Sequence, residues 1–299
     1  MKWIDIYEKG IKSGLKNDLR SDVDNKIFYG LEKNPYPDSV IITGENEKTI
    51  KNLFVSIDID ISIILLVVQL INNGVKIDGI LSHHPTGKGL YNITEVIRLQ
   101  RENWQKAGIR ETDAQRLYEK IYREEELGLK GNYNGPENAA DFFKIPLMCI
   151  HTPIDNIIQV FFEKFFKDKN DMTIDEALSE VSKIPECKMA SEKGDEPFLV
   201  GNLGSKAIGK YFVDMTGGVD PPDEIFKLLK KTGIDTIIGM HYNSDNISSI
   251  MKSRLSAIIC GHMACDSIGM NIFCDLLEKE GVNIISGSGF YRYKRNEQD

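Results

Sequence analysis

Gly79-Ile80-Leu81-Ser82-His83-His84-Pro85 is the stretch that decides the fold, because an apolar run stops there at two adjacent histidines. The run predicts a buried strand, and Pro85 biases the backbone of His84 toward an extended conformation. Neighbouring residues on an extended chain point to opposite sides. His83 and His84 are therefore better placed to bind one metal ion each than to bind one together, which points to a dinuclear site. The alternative is that one histidine caps the strand end and the other is exposed.

A strand, a helix and a second strand lead up to His83. The first strand ends at Asp58, the helix runs through Ile63 and Leu70, and Gly74 stops it before the second strand begins. This order predicts two parallel strands joined by a right-handed crossover. Asp58 and His83 then lie at the same end of the sheet. Asp58 is either a hydrogen-bond acceptor at the site or the cap of the helix.

Strands and helices alternate again in the last third of the chain. We predict an α/β fold: two α/β halves with largely parallel sheets, a metal site at the strand ends between them, and a helical insertion between residues 90 and 142. The predicted parts are residues 1–160, a connecting or inserted segment at 161–210, and residues 211–299. The glycines of the connecting segment predict hairpin turns and loops. Residues 1 to about 35 predict an outer helix.

Length and composition describe an ordinary globular protein. Of 299 residues, 41% are hydrophobic and 27% are charged, which is enough to bury a core. A formal net charge of -8 argues against a nucleic-acid interface, because proteins that bind phosphate backbones carry a basic excess. The five cysteines form no CxxC pair, so neither a disulfide framework nor a zinc ribbon is expected. The sequence shows neither a signal peptide nor a membrane span, and we expect a cytoplasmic protein.

The histidines of the chain share one position in the pattern: all five fall at or just after the end of an apolar strand. They are His83, His84, His151, His241 and His262. In an open parallel sheet these ends converge on one crevice, where ligands bind, so we expect a shared metal site. His262 and Asp266 lie four residues apart at the start of the last helix and share a helical face. Taken alone, that pair would be better explained as a capping histidine and a surface aspartate.

Three motifs, in this order along the chain, resemble the Nif-three-like dinuclear-metal family, which is also called GTP cyclohydrolase I type 2. The motifs are Ser82-His83-His84-Pro85, His151-Thr152-Pro153-Ile154-Asp155, and Gly261-His262 followed by Asp266. The resemblance implies an α/β fold, two divalent metal ions and a hexameric ring. Carried over residue by residue, it places the metal ligands at His83, His84, Asp155, His262 and Asp266.

The sequence departs from the family pattern at three places. Asp266 stands where a glutamate is usual and is one methylene shorter, so its ability to bridge two ions depends on the geometry of the site. Met240 replaces the acidic residue of the family's Thr-Gly-Glu segment. The interval between His84 and His151 is long and helical, which predicts a pocket lid particular to this chain.

Imidazole and carboxylate ligands suit zinc, iron, manganese, nickel or cobalt, and the ligand set does not choose between these metals. The five ligands bring two negative charges against four on two divalent ions, so an anion is expected to balance the site. Cys265, next to Asp266, is expected to lie in the core rather than among the ligands.

Two functions follow from this ligand set as hypotheses. The first is a metal-dependent hydrolase acting on a small anionic or nucleotide-like substrate, of the GTP cyclohydrolase type by resemblance. His151 and His241 would then orient ligands or carry protons, or be structural histidines. The second is a non-catalytic metal carrier or an oligomeric scaffold protein. We expect a homo-oligomer that binds neither a membrane nor nucleic acid.

Overall fold

The computed structural model describes residues 1–19, 34–128, 131–201 and 206–295. Much of the predicted outer helix, residues 20–33, and Gly204 of the predicted turn region lie outside the described residues. Among the described residues, no helix combines the length and the apolar character that crossing a membrane requires.

The described residues form strands and helices that alternate along most of the chain. In chain order the strands are β1 (Val40–Thr43), β2 (Asn52–Ser56), β3 (Gly79–Ser82), β4 (Leu147–Cys149), β5 (Phe198–Gly201), β6 (Tyr211–Asp214), β7 (Thr236–Gly239), β8 (Ser256–Ile259) and β9 (Asn283–Ser286). The helices are α1 (Trp3–Lys16), α2 (Ile61–Asn72), α3 (Gly87–Tyr91), α4 (Ile97–Lys106), α5 (Glu111–Gly128), α6 (Gly135–Phe142), α7 (Thr152–Phe166), α8 (Ile174–Ser182), α9 (Pro185–Ser191), α10 (Glu224–Lys231), α11 (Ser244–Lys252) and α12 (His262–Lys279).

The chain divides into two compact units. The first comprises Met1–Val96, Gly128–Ile157 and Asp266–Asp299, and the second comprises Ile97–Leu127 and Ile158–Cys265. The unit boundaries fall inside α7 and α12, so both helices pass from one unit into the other. The C-terminal segment predicted at 211–299 is shared between the units, because β9 pairs with β2 of the first sheet.

The first unit is built on a five-stranded sheet with the order β1-β4-β3-β2-β9. Strands β9, β2, β3 and β4 run parallel, and β1 pairs with β4 in the antiparallel direction. Every residue of β3 and β4 is buried, which explains why these strands are apolar without alternation. Strand β2, helix α2 and strand β3 form the predicted βαβ unit, and the carboxyl ends of β2, β3 and β4 therefore lie side by side.

The second unit contains a four-stranded sheet with the order β5-β8-β7-β6. Strands β6, β7 and β8 are parallel, as the sequence predicts, and β5 is antiparallel to β8. Strand β5 lies in the region that the sequence predicts as turns and loops. The sequence does not reveal this strand, because its four residues are too few to show a period and it ends at Gly201. Pro185 is the first residue of α9, a position that suits proline because its missing N–H has no partner there anyway.

The α/β fold and its helical insertion are confirmed. The interval predicted as helical contains α3, α4, α5 and α6, together with a 3-10 turn at Ile93–Val96. Helix α2 begins at an N-cap formed by Asp60, whose side chain accepts a hydrogen bond from the backbone N–H of Ile63 at 2.9 Å. The alternative in which Asp58 caps this helix is therefore wrong, and Asp58 is available for another contact.

Trp3 anchors α1 on the first sheet. Its ring is fully buried, and its indole N–H donates to the carbonyl oxygen of Thr43 at 3.1 Å. A Cβ atom at Gly79 would lie 3.1 Å from this ring, so a side chain at the first residue of β3 would press against Trp3. Helix α1 and β3 therefore approach each other closely at this point.

We expect Trp3→Ala to lower the free energy of unfolding by about 3 to 5 kcal/mol, because it removes a buried ring and leaves a cavity. Urea unfolding followed by circular dichroism measures this loss. Leu127→Ala is the control, since the Leu127 side chain is 72% exposed and its truncation is expected to cost less than about 0.5 kcal/mol. Equal losses for the two variants would contradict the packing described for Trp3.

Candidate metal centre

Three histidines meet at the carboxyl ends of β3 and β4. His83 and His84 follow β3 directly, and His151 follows the neighbouring parallel strand β4 after one residue. The ring centroid of His83 lies 5.1 Å from that of His84 and 4.9 Å from that of His151. One ligand nitrogen from each of the three rings can be chosen so that all lie within 4.8 Å of one another. The parallel pairing of β3 with β4 is sufficient to bring these three histidines together.

His83 is buried and points one nitrogen at two carboxylates. Its Nδ1 lies 3.2 Å from the carbonyl oxygen of Ile150, a contact in which the ring N–H donates. Its Nε2 lies 3.3 Å from Oδ1 of Asp155 and 3.5 Å from Oδ1 of Asp266. This nitrogen is nevertheless a buried atom without a hydrogen bond in the described part of the chain.

These separations at His83 are those of ligands around a common ion. Two ligand atoms held about 2.1 Å from a tetrahedral metal ion lie about 3.4 Å from each other. A buried imidazole nitrogen that faces carboxylate oxygens at this spacing, without a hydrogen bond, fits a divalent cation between them. His83, Asp155 and Asp266 together offer three such atoms within 4.8 Å of one another.

His84 is partly buried and contacts two other carboxylate oxygens. Its Nδ1 lies 2.7 Å from Oδ1 of Asp58, and its Nε2 lies 3.3 Å from Oδ2 of Asp266. Asp58 therefore holds the ring so that Nε2 faces the site, which is the role of an acceptor behind a metal-binding histidine. The sequence-based alternative that made Asp58 a hydrogen-bond acceptor at the site is correct, with His84 as its partner.

Asp266 lies between the two adjacent histidines. Its side chain is fully buried, with Oδ1 toward Nε2 of His83 and Oδ2 toward Nε2 of His84. The adjacent histidines thus present their Nε2 atoms to different oxygens of one carboxylate. An aspartate, although shorter than the glutamate usual in the family, reaches both positions here, which is the arrangement that a bridging carboxylate requires.

His151 is oriented by a buried aspartate that the sequence did not single out. Its Nδ1 lies 2.8 Å from Oδ2 of Asp38, which also accepts from the backbone N–H of Thr152 at 3.2 Å and from its hydroxyl at 2.7 Å. The Nε2 atom of His151 lies 3.8 Å from Oδ2 of Asp155. His151 therefore has the placement of a further ligand, with Asp38 behind it.

The carboxylates control the protonation of both adjacent histidines. Burial by itself lowers the pKa of His83, but the negative charges of Asp266 and Asp155 outweigh it and hold this pKa well above its usual value. Burial likewise lowers the pKa of His84, whereas its contacts with Asp266 and Asp58 raise it to about 9. The same negative charge that retains protons on these rings would attract a divalent cation in their place.

The two remaining histidines lie in the second unit. The ring of His262, the first residue of α12, packs against that of His241 in a tilted arrangement, with 4.2 Å between the centroids and 36° between the planes. His262 and Asp266 are one turn apart on α12 and share a helical face. His241 is half-exposed, with Nδ1 3.4 Å from Oδ1 of Asp220, and belongs to none of the His/Cys/Asp/Glu groups able to hold a metal ion among the described residues.

The residues next to these histidines have ordinary packing roles. Cys265 is buried, as expected for a core residue, and Cys260 is buried as well. Met240 is also buried, at the end of β7.

We expect Asp38→Asn to weaken metal binding by about 10- to 100-fold, because residues that orient a metal-binding histidine typically contribute this much. Competition with a chromophoric chelator measures the change in the dissociation constant, and the thermal midpoint reports any loss of stability. Asp220→Asn is the matched control, since Asp220 stands beside His241 in the second unit. If the two variants have the same affinity for metal, Asp38 has no part in the site.

The comparisons with known proteins concern the fold. No protein-family model matches the chain, and no curated protein sequence matches it. A solved structure of a NIF3 superfamily protein from Sphaerobacter thermophilus superposes with a TM-score of 0.79 at 20% sequence identity, covering 94% of this chain and 98% of that chain. Reduced HcgD from Methanocaldococcus jannaschii gives a TM-score of 0.54 at 15% identity, covering 83% of this chain and 87% of that chain.

A third solved structure, TTHA1606 from Thermus thermophilus, gives a TM-score of 0.52 at 12% identity and covers 96% of this chain and 97% of that chain. The chain therefore has the fold of the NIF3 superfamily. The fold that the motif resemblance implies is confirmed.

Proposed function

We propose that this chain is a NIF3 superfamily protein that binds two divalent metal ions and hydrolyses a small substrate. The observation that carries the proposal is Asp266, a buried carboxylate whose two oxygens face Nε2 atoms of His83 and His84. Binding of a single ion would not require the two oxygens of Asp266 to face two different histidines. The NIF3 fold and the three motifs support the same ligand set.

The ligands divide into two groups around Asp266. His83 and Asp155 would hold one ion, with His151 close enough to join them. His84 would hold the other, and we propose that His262 joins it from the same face of α12 as Asp266. When bound, a pair of divalent ions supplies an acidified water and positive charge for a leaving oxygen. Asp38 and Asp58 keep the imidazoles in the required orientation.

The formal charge of the site is different when the two carboxylates that contact the histidines from behind, Asp38 and Asp58, are also counted. Asp155 and Asp266 alone leave two divalent ions with about two uncompensated positive charges. When Asp38 and Asp58 are ionised, four negative charges face four positive charges, and an anionic ligand is no longer needed for balance. The substrates to be tested therefore include uncharged compounds as well as anionic and nucleotide-like ones.

A metal carrier is the second candidate, and two observations favour it. The balanced formal charge suits a site that stores ions without a further ligand. Met240 also occupies the position at which the family has an acidic residue, which removes a group that could move a proton. Such a protein would retain its ligands and release metal to a partner.

Turnover assays on the metal-loaded protein separate the two candidates. GTP, other nucleotides, phosphoesters and uncharged amides are offered to the wild-type protein and to His83→Ala. Hydrolysis of any of them that is lost in the variant supports the hydrolase. Two bound ions per chain without turnover of any of these compounds would contradict it, and rapid transfer of the ions to a chelator would then favour the carrier.

A further inference from the structure

The residues that follow β9 connect two elements of the candidate metal centre. The pairing of β9 with β2 continues beyond both strands. The backbone N–H of Gly287 donates to the carbonyl oxygen of Val55 at 2.6 Å, and that of Ile57 donates to the carbonyl oxygen of Ser288 at 3.1 Å. The chain then turns and runs along α12. We call residues 287–295 the strap.

Backbone N–H groups of the strap donate to one face of α12. The donors are every second residue of the strap and the acceptors are every fourth residue of the helix: Tyr291 donates to Oγ of Ser267 at 3.0 Å, Tyr293 to Oδ1 of Asn271 at 3.1 Å and Arg295 to Oδ2 of Asp275 at 3.0 Å. Residues 291–295 thus cover residues 267–275, which is about 12 Å of helix axis and requires a nearly extended chain. These hydrogen bonds fix the register of the strap on α12.

Arg292 fastens the strap to the same helix through its guanidinium group. Its Nη2 atom lies 2.5 Å from Oδ1 of Asp275 and 3.2 Å from Oε2 of Glu278. Its Nη1 atom donates to Oδ1 of Asn271, a fully buried residue, at 3.0 Å. The side chains of Arg292 and Asp275 are only 16% and 13% exposed, so solvent screens their charges less than it screens a surface pair.

Both ends of the strap adjoin residues of the candidate metal centre. At one end, Ile57 directly precedes Asp58, and its carbonyl oxygen accepts from the backbone N–H of His84 at 2.9 Å. At the other end, Ser267 directly follows Asp266 on α12. The strap therefore links the backbone that carries His84 to the helix that carries Asp266. Across this link, Nε2 of His84 lies 3.3 Å from Oδ2 of Asp266.

We infer that the strap holds α12 at the position at which Asp266 faces both adjacent histidines, and that Arg292 is the main positioning residue. This inference rests on the proposed function. Metal ligands must be held within about 0.5 Å of their working positions, and a fully buried aspartate has little reach with which to follow a displaced helix. The ion beside His84 is expected to depend on the strap more than the ion beside His83, which keeps Asp155 as a further ligand.

Covering the core does not account for the strap. Phe290, which is 5% exposed, is its contribution to the apolar interior. The contacts beyond Phe290 are polar, and two of the acceptors on α12, Ser267 and Asn271, are fully buried. A buried polar network whose members are paired favours one arrangement of the elements that it joins. Contacts of this kind determine the position of α12 rather than the amount of apolar surface that is buried.

Arg292→Ala tests the inference by cobalt titration of the metal-free protein, in which the visible absorption of the bound ion reports both affinity and ligand geometry. We expect the affinity for the second ion to fall by about 10- to 100-fold, as for other residues that orient ligands, and the absorption band to shift. Arg292→Lys keeps the charge but not the forked donor, so it should restore part of the affinity. The matched control is Lys9→Ala, which breaks the ion pair of α1 with Glu280, just after α12, and should bind cobalt as the wild-type protein does.

Hydrogen exchange of the metal-free protein separates positioning from a general loss of stability. Arg292→Ala is expected to raise the exchange rates of the backbone amides of α12 at residues 267–275 at least tenfold relative to those of β3 and β4. An equal rise in all three elements would overturn the inference. Unchanged cobalt binding by Arg292→Ala, beside a wild-type chain that binds two ions, would overturn the inference alone. A wild-type chain that bound no metal would overturn the proposed function together with it.

Discussion

Replacing His83 with alanine is expected to remove one metal ion per chain while leaving the protein folded. The substitution deletes the nitrogen that faces both Asp155 and Asp266, and the remaining carboxylates offer a poorer set of ligands. The loss of affinity should exceed the roughly 100-fold effect of removing an outer partner of a ligand, because a direct ligand is lost. Metal content after exhaustive dialysis, measured with the thermal midpoint, gives both results in one sample.

The control for His83→Ala is His241→Ala. His241 is a half-exposed histidine of the second unit that the motif resemblance does not place among the metal ligands. We expect this variant to retain the metal content of the wild-type protein. If His83→Ala retained it as well, His83 would not be a ligand and the assignment of the site would be wrong.

Asp266→Ala is expected to have a larger effect and to remove both ions. One oxygen of Asp266 faces His83 and the other faces His84, so a single truncation withdraws a ligand from both positions. The same dialysis experiment should therefore give less than about half an ion per chain, whereas His83→Ala leaves one. Retention of one ion at wild-type affinity would show that Asp266 serves one position only and does not bridge.

Asp266→Glu provides the matched control for this substitution. It restores the residue that is usual in the family and lengthens the side chain by one methylene at a fully buried position. We expect two bound ions with a modest cost in stability of about 1 to 3 kcal/mol from overpacking. Loss of metal from this variant as well would show that the site depends on the shorter side chain.

The strand ends at the site were predictable from sequence because they depend on local patterns. Apolar runs followed by polar residues mark β3 and β4, and parallel pairing then places His83, His84 and His151 at one edge of the sheet. Helical periodicity likewise places His262 and Asp266 on one face. Asp38 could not be found in this way, because its contact with His151 spans 113 positions and depends on the pairing of β1 with β4.

Two further features escaped prediction for different physical reasons. Asp58 and Asp60 both precede α2, and only the backbone geometry shows that Asp60 accepts from Ile63 while Asp58 contacts His84. The exposure of Ile61, Leu65 and Leu66 on one side of α2, each about half exposed, also escaped prediction, because a continuous apolar run predicts burial on all sides. Sequence patterns thus indicated the candidate ligands, whereas the carboxylates that hydrogen-bond to these histidines could be found only in the structure.

Elemental analysis of the protein purified without added metal and without chelator tests the central claim most directly. The proposed site predicts two divalent ions per chain in the wild-type protein, one in His83→Ala and fewer than about half an ion in Asp266→Ala. A wild-type chain that binds no divalent ion, even after incubation with zinc, iron, manganese, nickel and cobalt in turn, would contradict the account.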